Sequence, residues 1–428
     1  MRRAWFAVAA VASMAAVTAC QPAAPPTVTT KAVASAGGTA LRSTDPTITP
    51  DGRYVTFWSV AGGIVPGVAS GPTEQLYRLD RNTGTTILVS RNAAGDPAQS
   101  VGTPIGHDAA SVSSDGRYVV WVDIAANLVP GDGASQKHVY LRDVVGGTTT
   151  RVDTAPGGEP ANGWAAGATI SANGRWISFG TDATNLLPGE PSDKIVDVYR
   201  VDRATSDLVK VSVGRAADGA ATVANGNSNL PIALDDGRVV LQSRATNLAK
   251  GQTLGSADTI LYLVTPGTVP VVVVSATTAG GVGYGQLRDA TPDGRYVTFT
   301  SFTDYTGKGG TVWLRDTVAK TTENALLSKD GKGGSGGDPK LSANGRYVTV
   351  YSSTSYTGED VNGQQAVQVR DRTTGRVWIA SRLGTKPGYA ERLGGITNDG
   401  TTVVFHATGS YVTPTESGSK AWIATAKL

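Results

Sequence analysis

The chain has 428 residues, of which 54 are Gly, 40% are hydrophobic and 17% are charged. Its ordinary apolar content and small formal charge of +3 (38 basic minus 35 acidic residues) exclude a disordered chain, and its glycine content excludes a coiled coil. No cluster of Lys and Arg accompanies the basic balance, which argues against nucleic-acid binding. Such a composition is typical of many short strands joined by tight turns.

The N-terminal residues have the parts of a secretory signal. Two arginines precede a short apolar run at 4–17, and small residues then lead to Cys20, the only cysteine of the sequence. Thr18-Ala19-Cys20 resembles the bacterial lipobox, which implies that the cysteine is diacylated and becomes the new N-terminus. We therefore expect a lipoprotein signal peptide at 1–19, a lipidated Cys and Pro-rich tether at 20–26, and a body held on the outer, extracytoplasmic face of the cell membrane. The alternative is an ordinary signal peptide with an incidental cysteine.

A short phrase recurs seven times along the rest of the chain. In its first copy, Asp51-Gly52-Arg53-Tyr54 stands between runs of alternating apolar residues. This setting predicts a tight hairpin with a type I′ turn, which needs positive φ at both the Asp and the Gly. The glycines of the seven copies, at successive differences of 64, 58, 63, 57, 51 and 55, are Gly52, Gly116, Gly174, Gly237, Gly294, Gly345 and Gly400.

Each copy predicts four antiparallel strands, A to D, with tight A–B and C–D turns and longer B–C and D–A loops. Strand C ends in most copies at an Asp, as in Leu76–Asp80 and Val139–Asp143, and a short strand D follows, as in Thr86–Ser90. Four strands repeated about every 50–60 residues are typical of the blades of a β-propeller. The sequence therefore predicts an all-β fold, a seven-bladed β-propeller of four-stranded antiparallel blades at 27–428.

The seventh copy is incomplete, since it stops after strand C, at Ala421–Thr425, with three residues left. A segment that reads like a strand D, Thr27–Ser35, stands ahead of the first copy. We expect this N-terminal strand to close the last blade, because the pairing removes an exposed sheet edge. An open solenoid or two separate sandwiches would not explain the incomplete copy.

The pattern Ser-x-Asp-Gly-Arg followed by an aromatic strand, as at Ser113–Tyr118, resembles the TolB-type, WD-like propeller repeat of secreted bacterial proteins. The resemblance covers nearly all of 27–428 and implies a fold rather than a function. TolB carries an additional N-terminal domain and works with partners in an envelope complex; we expect no such domain ahead of Thr27, so its role does not transfer. Val264 and Thr425 stand where the other blades have Asp, and we expect looser C–D turns there because this Asp caps the turn.

The divergent B–C and D–A loops predict a binding face on the side of the propeller that carries them. The D–A loops place aromatic and cationic side chains ahead of the strands A that surround the channel. Such side chains suit a sugar or an acidic peptide, through stacking and bidentate carboxylate contacts. The alternative is that the aromatic residues pack between blades and the arginines are solvated. The candidate binding face consists of Arg42, His107, Trp164, Asn227, Tyr284, Arg288, Tyr389 and Arg392.

Other kinds of site have weaker support in the sequence. The histidines His107, His138 and His406 fall at different positions of their blades, so we do not expect them to share a metal ion. Acidic B–C loops, such as 127–132, leave calcium binding open, although no dedicated calcium-loop spacing is present. The sequence has no nucleophile elbow, while a glycosidase pair of carboxylates from different blades stays open.

We therefore expect a monomer without cofactor, metal or catalytic residues that binds a protein, peptide or glycan of the cell envelope. Its role would be that of a binding or scaffold module. The alternative is a polysaccharide-active hydrolase or lyase with its site at the channel mouth. A third hypothesis is a structural spacer, which predicts a loop face without a pocket.

Overall fold

The computed structural model describes residues 26–36, 39–100, 109–132, 136–249, 259–267, 271–277, 281–327, 331–361, 363–383, 386–407 and 419–428. These residues form seven four-stranded antiparallel sheets, which confirms the predicted seven-bladed β-propeller. Three two-stranded hairpins lie in D–A loops. Within these ranges there is no helix that is long and apolar enough to cross a membrane.

Strand A is the innermost strand of each blade, since the strands A of neighbouring blades contact each other around the central axis. We call the side with the B–C and D–A loops the loop face and the side with the A–B and C–D turns the turn face. In blades 1 and 2, strands A to D are Thr44–Ile48, Tyr54–Ser59, Gln75–Asp80 and Thr85–Leu88, and Ser111–Val112, Tyr118–Asp123, His138–Asp143 and Thr148–Arg151, respectively. In blades 3 to 5, they are Ala165–Ile170, Trp176–Thr181, Asp197–Asp202 and Asp207–Lys210; Ser228–Ala233, Val239–Ser243, Ile260–Val264 and Val272–Val273; and Gln286–Ala290, Tyr296–Thr300, Val312–Asp316 and Thr321–Asn324. In blades 6 and 7, they are Gly337–Leu341, Tyr347–Ser352, Ala366–Asp371 and Val377–Ile379, and Arg392–Ile396, Thr402–Ala407, Lys420–Lys427 and Thr27–Ala32, respectively.

The N-terminal strand closes the ring, as predicted. Thr27–Ala32 pairs antiparallel with strand C of blade 7, from Thr27 opposite Lys427 to Ala32 opposite Trp422. Val28 packs against the apolar cluster of that blade. Both ends of the propeller sequence therefore meet in one sheet.

The A–B turns differ from the predicted type. In blade 1 Gly52 has a φ of 77°, Asp51 does not have positive φ, and the Gly52 N–H donates to the Thr49 carbonyl at 2.8 Å. Thr49 Oγ1 donates to Asp51 Oδ1 at 2.6 Å and accepts from the Tyr54 N–H at 3.0 Å. The type I′ prediction is wrong because these side chains hold a four-residue loop, in which only the glycine needs the left-handed conformation.

The glycine of each A–B turn also packs against the preceding blade. A Cβ on Gly116 would overlap the ring of Tyr54, and a Cβ on Gly174 would lie 2.8 Å from the ring of Tyr118. The aromatic residue after Asp-Gly-Arg thus covers the glycine of the next blade, so that the motif encodes a contact between blades. The same contact joins Trp176 to Gly237, Tyr296 to Gly345 and Tyr347 to Gly400.

The Asp that ends strand C caps the C–D turn, as expected, and also binds the arginine of the A–B turn. Asp143 Oδ1 accepts from the N–H groups of Val145 and Gly146 at 3.0 and 2.9 Å, while Arg117 Nη2 lies 2.7 Å from Asp143 Oδ2. The repeat motif does not reveal this ion pair, because its partners are 26 residues apart in sequence. It recurs as Arg53–Asp80, Arg175–Asp202, Arg295–Asp316 and Arg346–Asp371.

Blade 4 has a different arrangement, because Val264 replaces the Asp. Arg238 instead binds Asp236 of its own turn, with Nε 2.6 Å from Oδ2. Strand D is reduced to Val272–Val273. Residues 268–270 of the C–D connection lie outside the described residues, so the looser turn expected here stays a prediction.

The apolar core is divided into layers between neighbouring blades. In one layer Val120 and Leu141 of blade 2 pack with Phe179 and Tyr199 of blade 3, all of them buried. Each layer needs two blades, so the ring is the unit that buries apolar surface. This packing holds the seven strands A around a channel.

Candidate binding site

Strand A carries a β-bulge in six blades, and the bulges shape the wall of the channel. In blades 1, 4 and 6 the bulged residue precedes a proline and has positive φ: Asp45 at 43°, Leu230 at 47° and Asp338 at 47°. In blade 5 the extra residue is Arg288, between Leu287 and Asp289 in the pairing with strand B. Because a bulge re-aims the side chain of its unpaired residue, these positions face the channel.

The channel holds a cavity of about 420 Å³ that is lined by residues of all seven blades, most of them in strand A. Its lining is asymmetric. Blades 2 to 4 contribute small and apolar residues, among them Ala109, Gly167 and Pro231. Blades 5, 6, 7 and 1 contribute the charged residues Arg288, Asp338, Lys340, Glu391, Arg392 and Asp45.

Two ion pairs organise the charged side. Arg392 Nη1 lies 2.9 Å from Asp45 Oδ1, a contact that joins blades 7 and 1. Lys340 Nζ lies 3.6 Å from Asp338 Oδ1 and donates to the Arg288 carbonyl at 3.2 Å, which joins blades 6 and 5. These carboxylates are therefore held at fixed positions in the wall, each beside a cationic partner.

A further carboxylate lies behind this wall. Asp289 Oδ2 accepts from the Leu341 N–H at 2.8 Å, and Oδ1 accepts from the Ala290 N–H at 2.9 Å. Burial raises the pKa of Asp289, although Lys340 favours the ionised form. Burial lowers the pKa of Lys340, but the carboxylates of Asp338 and Asp289 outweigh it and raise that pKa above its ordinary value. The cluster links blades 5 and 6 behind the channel.

Blade 7 adds an acid and an imidazole at the channel mouth. His406 Nδ1 lies 3.7 Å from Glu391 Oε2, and the Tyr389 hydroxyl donates to Glu391 Oε1 at 3.5 Å. Burial lowers the pKa of His406, against the opposing effect of Asp45 and Glu391. A neutral imidazole thus stands beside the acid at this end of the wall.

A groove of about 600 Å³ opens from the channel mouth between blades 5 and 6 on the loop face. We call it the blade 5–6 groove; its aromatic residues are Tyr284, Phe302 and Tyr351. Phe302 is 97% exposed, at the start of the B–C loop. Arg288 and Tyr351 line both the groove and the channel, so the two spaces adjoin each other.

The structure brings together four of the predicted residues. Tyr284 and Arg288 line the groove, and Tyr389 and Arg392 lie at the blade 7 side of the mouth. Arg288 and Arg392 were expected in D–A loops, but they lie in strand A, because strand A begins earlier than the turn motif indicates. His107 lies outside the described residues, as does Cys20.

Three other predicted residues lie elsewhere on the loop face. Trp164 is 51% exposed, and its backbone N–H donates to Asp182 Oδ1 at 2.6 Å. Asn227 Oδ1 accepts from the Val196 N–H at 3.0 Å, which ties two blades together. Arg42 is exposed, and it accepts a hydrogen bond from Ser59 through its carbonyl. Their role in binding stays a prediction.

Sequence reasoning missed Asp45, Asp338, Lys340, Phe302 and Tyr351. The sequence does carry a signal for Asp45 and Asp338, because each of them precedes a proline. These prolines, Pro46 and Pro339, stand five residues ahead of the Asp or Asn that begins the turn motif. No comparable signal marks Phe302, whose exposure depends on the path of the B–C loop.

The acidic B–C loops and His138 have protein partners. Asp132 Oδ1 lies 2.8 Å from Arg151, and Glu190 Oε2 lies 2.7 Å from Lys210. His138 Nδ1 lies 2.8 Å from the buried carboxylate of Asp153. Within the described ranges, no three His, Cys, Asp or Glu residues form a group suited to a metal ion.

Comparison with known proteins shows a similarity of fold and no similarity of sequence. No protein-family model matches the chain, and no curated protein matches it in sequence. An oligogalacturonate lyase from Vibrio parahaemolyticus is 12% identical, with a TM-score of 0.54 over 94% of this chain and 98% of the lyase. TolB from Acinetobacter baumannii is 13% identical, with a TM-score of 0.39 over 72% of this chain and 62% of TolB.

A third similar structure differs in how its ring closes. The β-propeller domain of the Trilobed protease from Pyrococcus furiosus is 11% identical, with a TM-score of 0.54 over 90% of this chain and 97% of that domain. It is described as having an open velcro topology, whereas here strand D of blade 7 comes from the N-terminus. At such identities the likeness extends to the fold alone. The chain is a seven-bladed β-propeller, similar in architecture to an oligogalacturonate lyase and to the propeller domain of a protease.

Proposed function

We propose that this protein is a membrane-tethered, extracytoplasmic propeller that binds a protein or glycan of the cell envelope on its loop face, as a binding or scaffold module. The observation that carries the proposal is the junction of channel and groove. There, Arg288 and aromatic side chains of blades 5 and 6 line one groove beside a mouth with charged residues of four blades. A concave surface of aromatic and polar side chains on a rigid ring is a preformed binding site.

The partners of two carboxylates in the wall favour binding over acid–base catalysis. Asp45 lies against Arg392 and Asp338 lies against Lys340, so each of these carboxylates is engaged by a cation of the protein. A glycosidase instead needs a carboxyl group that is available to donate a proton to the leaving group. Paired charges in a fixed wall suit recognition of a polar ligand.

The position of strand D of blade 7 supports a tether on the turn face. Thr29 pairs with Thr425, which pairs with Thr402, the first residue after the A–B turn of that blade. The chain therefore enters the propeller at the turn face. Residues 20–26 span at most about 3.3–3.6 Å each, so an anchor at Cys20 would keep the turn face close to the membrane and leave the loop face open.

The test is affinity capture of cell-envelope components by the purified chain and two variants. We expect a component that the parent chain retains and that Phe302→Ala with Tyr351→Ala loses. Val318→Ala is the matched control, because Val318 is 71% exposed on the C–D turn of the same blade. Equal capture by all three proteins would contradict binding at the groove.

The alternative is a polysaccharide-active hydrolase or lyase. One observation favours it: carboxylates of three blades, Asp45, Asp338 and Glu391, line the same channel. Incubation with cell-wall and plant polysaccharides, followed by chromatography of the products, tests this function. Fragments that the parent chain produces and Glu391→Gln does not would favour the enzyme over the binding module.

A further inference from the structure

Arg288 has an unusual position among the cations of the site. Its Nε donates to Thr300 Oγ1 at 3.2 Å, and its Nη2 donates to Gln286 Oε1 at 2.6 Å. Both partners are neutral, and across the described part of the chain no carboxylate lies within ion-pair distance of this guanidinium. The group is therefore oriented by the protein, while its charge is left for a ligand.

The blade 5–6 groove has one sign of charge. Among the described residues that line it, Arg288 is the only one charged at neutral pH. The others are aromatic residues, glycines, hydroxyls and amides. Because a guanidinium pairs best with a carboxylate through two parallel hydrogen bonds, the groove matches a ligand with one carboxylate at this point.

The loop that presents Phe302 is anchored at both sides. The Ser301 carbonyl accepts from Trp313 Nε1 at 3.1 Å, and the Thr303 N–H donates to Ser301 Oγ at 3.0 Å. The Tyr305 hydroxyl donates to the Tyr284 carbonyl at 3.0 Å. The backbone that carries Phe302 is therefore held in place, and its exposed phenyl ring lines the same groove as Arg288, where the apolar face of a sugar ring can stack on it.

The polar lining distinguishes a sugar from an extended peptide. The Gly285 N–H donates to the Thr259 carbonyl at 3.0 Å, and the Gly336 N–H donates to Thr311 Oγ1 at 3.2 Å. These two backbone N–H groups have partners within the protein, so they are not offered to a peptide strand. Neutral side chains with hydroxyl and amide groups, together with an aromatic platform, are typical of sugar recognition.

We infer that the blade 5–6 groove binds a carboxylated sugar residue of a glycan, with Arg288 on the carboxylate and Phe302 on the sugar face. The inference rests on the proposed function and names the ligand class of the same site. It assigns charge recognition to Arg288 and stacking to Phe302. The two contributions are separable by mutation.

The probe is a short oligosaccharide that contains glucuronic acid, compared with the same oligosaccharide after reduction of its carboxyl groups to alcohols. Calorimetric titration of the full chain should show at least about tenfold tighter binding of the acidic form, as expected for a charge-assisted contact. Arg288→Gln should abolish this preference, and Arg288→Lys should retain part of it because the charge stays. Phe302→Ala should weaken both ligands, whereas Val318→Ala should leave both unchanged.

Equal binding of the acidic and reduced oligosaccharides would overturn the inference, as would a preference that survives Arg288→Gln. Failure of the acidic oligosaccharide to bind at millimolar concentration would overturn it too. An unchanged melting temperature of Arg288→Gln shows that the variant is folded. If envelope capture still depends on Phe302 in any of these cases, the proposed function stands and only the ligand class is wrong.

Discussion

The glycine of the A–B turn meets two separate requirements in five blades, a positive φ and contact with an aromatic ring of the preceding blade. Gly116 and Gly147 of blade 2 both have a φ of 70°. A Cβ on Gly116 would overlap the Tyr54 ring, whereas no described atom lies within 4 Å of the place that a Cβ would take on Gly147. The two positions therefore separate backbone strain from packing between blades.

Gly147→Ala should reduce the free energy of unfolding by about 1–2 kcal/mol, since the left-handed conformation disfavours a side chain. Gly116→Ala should cost a further ~1–3 kcal/mol, because the new methyl group overpacks the contact with blade 1. Urea unfolding of both variants measures the difference. Equal losses would show that the ring contact contributes nothing.

In five blades the arginine of the A–B turn is joined to the Asp that caps the C–D turn of the same blade. The bidentate contact of Arg117 with Asp143 lowers the pKa of Asp143 to about 2, with help from the Gly146 and Val145 N–H groups. A carboxylate with a lowered pKa in the folded protein stabilises the fold above its ordinary pKa near 4. That stabilisation is lost as the pH falls from about 4 to 2.

Asp143→Asn keeps an oxygen that can cap the turn and removes the charge. We expect the variant to lose about 1 kcal/mol at pH 7, since Arg117 is 41% exposed and solvent screens the pair. Its free energy of unfolding should also change less than that of the parent between pH 4 and pH 2. Unfolding curves across this range give the comparison, and parallel pH dependence of the two proteins would contradict the assignment.

At the scale of the whole molecule, one strand decides whether the ring is closed. Val28 of this strand faces the apolar cluster of blade 7, while Lys31 of the same strand is exposed. Val28→Asp buries an unpaired charge and should lower the melting temperature by about 5 °C or more. Lys31→Asp should shift the melting temperature far less.

If deletion of residues 27–35 left the melting temperature unchanged, the strand would not be needed for closure.

The tether is also tested on the whole protein. We expect Cys20→Ser to move the protein from the membrane fraction to the soluble fraction, because the lipid would have no attachment site. A dye placed at Arg53 on the turn face should be quenched by quenchers in the bilayer more than a dye at Phe302. Full recovery of Cys20→Ser with membranes would contradict the anchor, and equal quenching would contradict the orientation.

The order of the strands, the number of blades and the closing strand were predictable from the sequence, because each depends on a repeated local pattern. Asp-Gly-Arg at Gly52 and its six equivalents marks the same turn in every blade, and the missing strand D points to the N-terminal segment. The turn type was wrong, since it depends on side chains such as Thr49 that hold the loop. Tyr284 and Arg288 were named as candidates, but their meeting in one groove was not predicted.

The amino-acid sequence by itself determined the ring, because turns, alternation and the incomplete last copy are properties of neighbouring residues. Only the tertiary structure decided which side chains share a site. Asp45 and Arg392 are an ion pair although they are 347 positions apart, and Phe302 stands beside Arg288 through the path of one loop. The physical reason is that a ring converts equal positions in successive repeats into neighbours around an axis, while bulges and loops decide which way each side chain points.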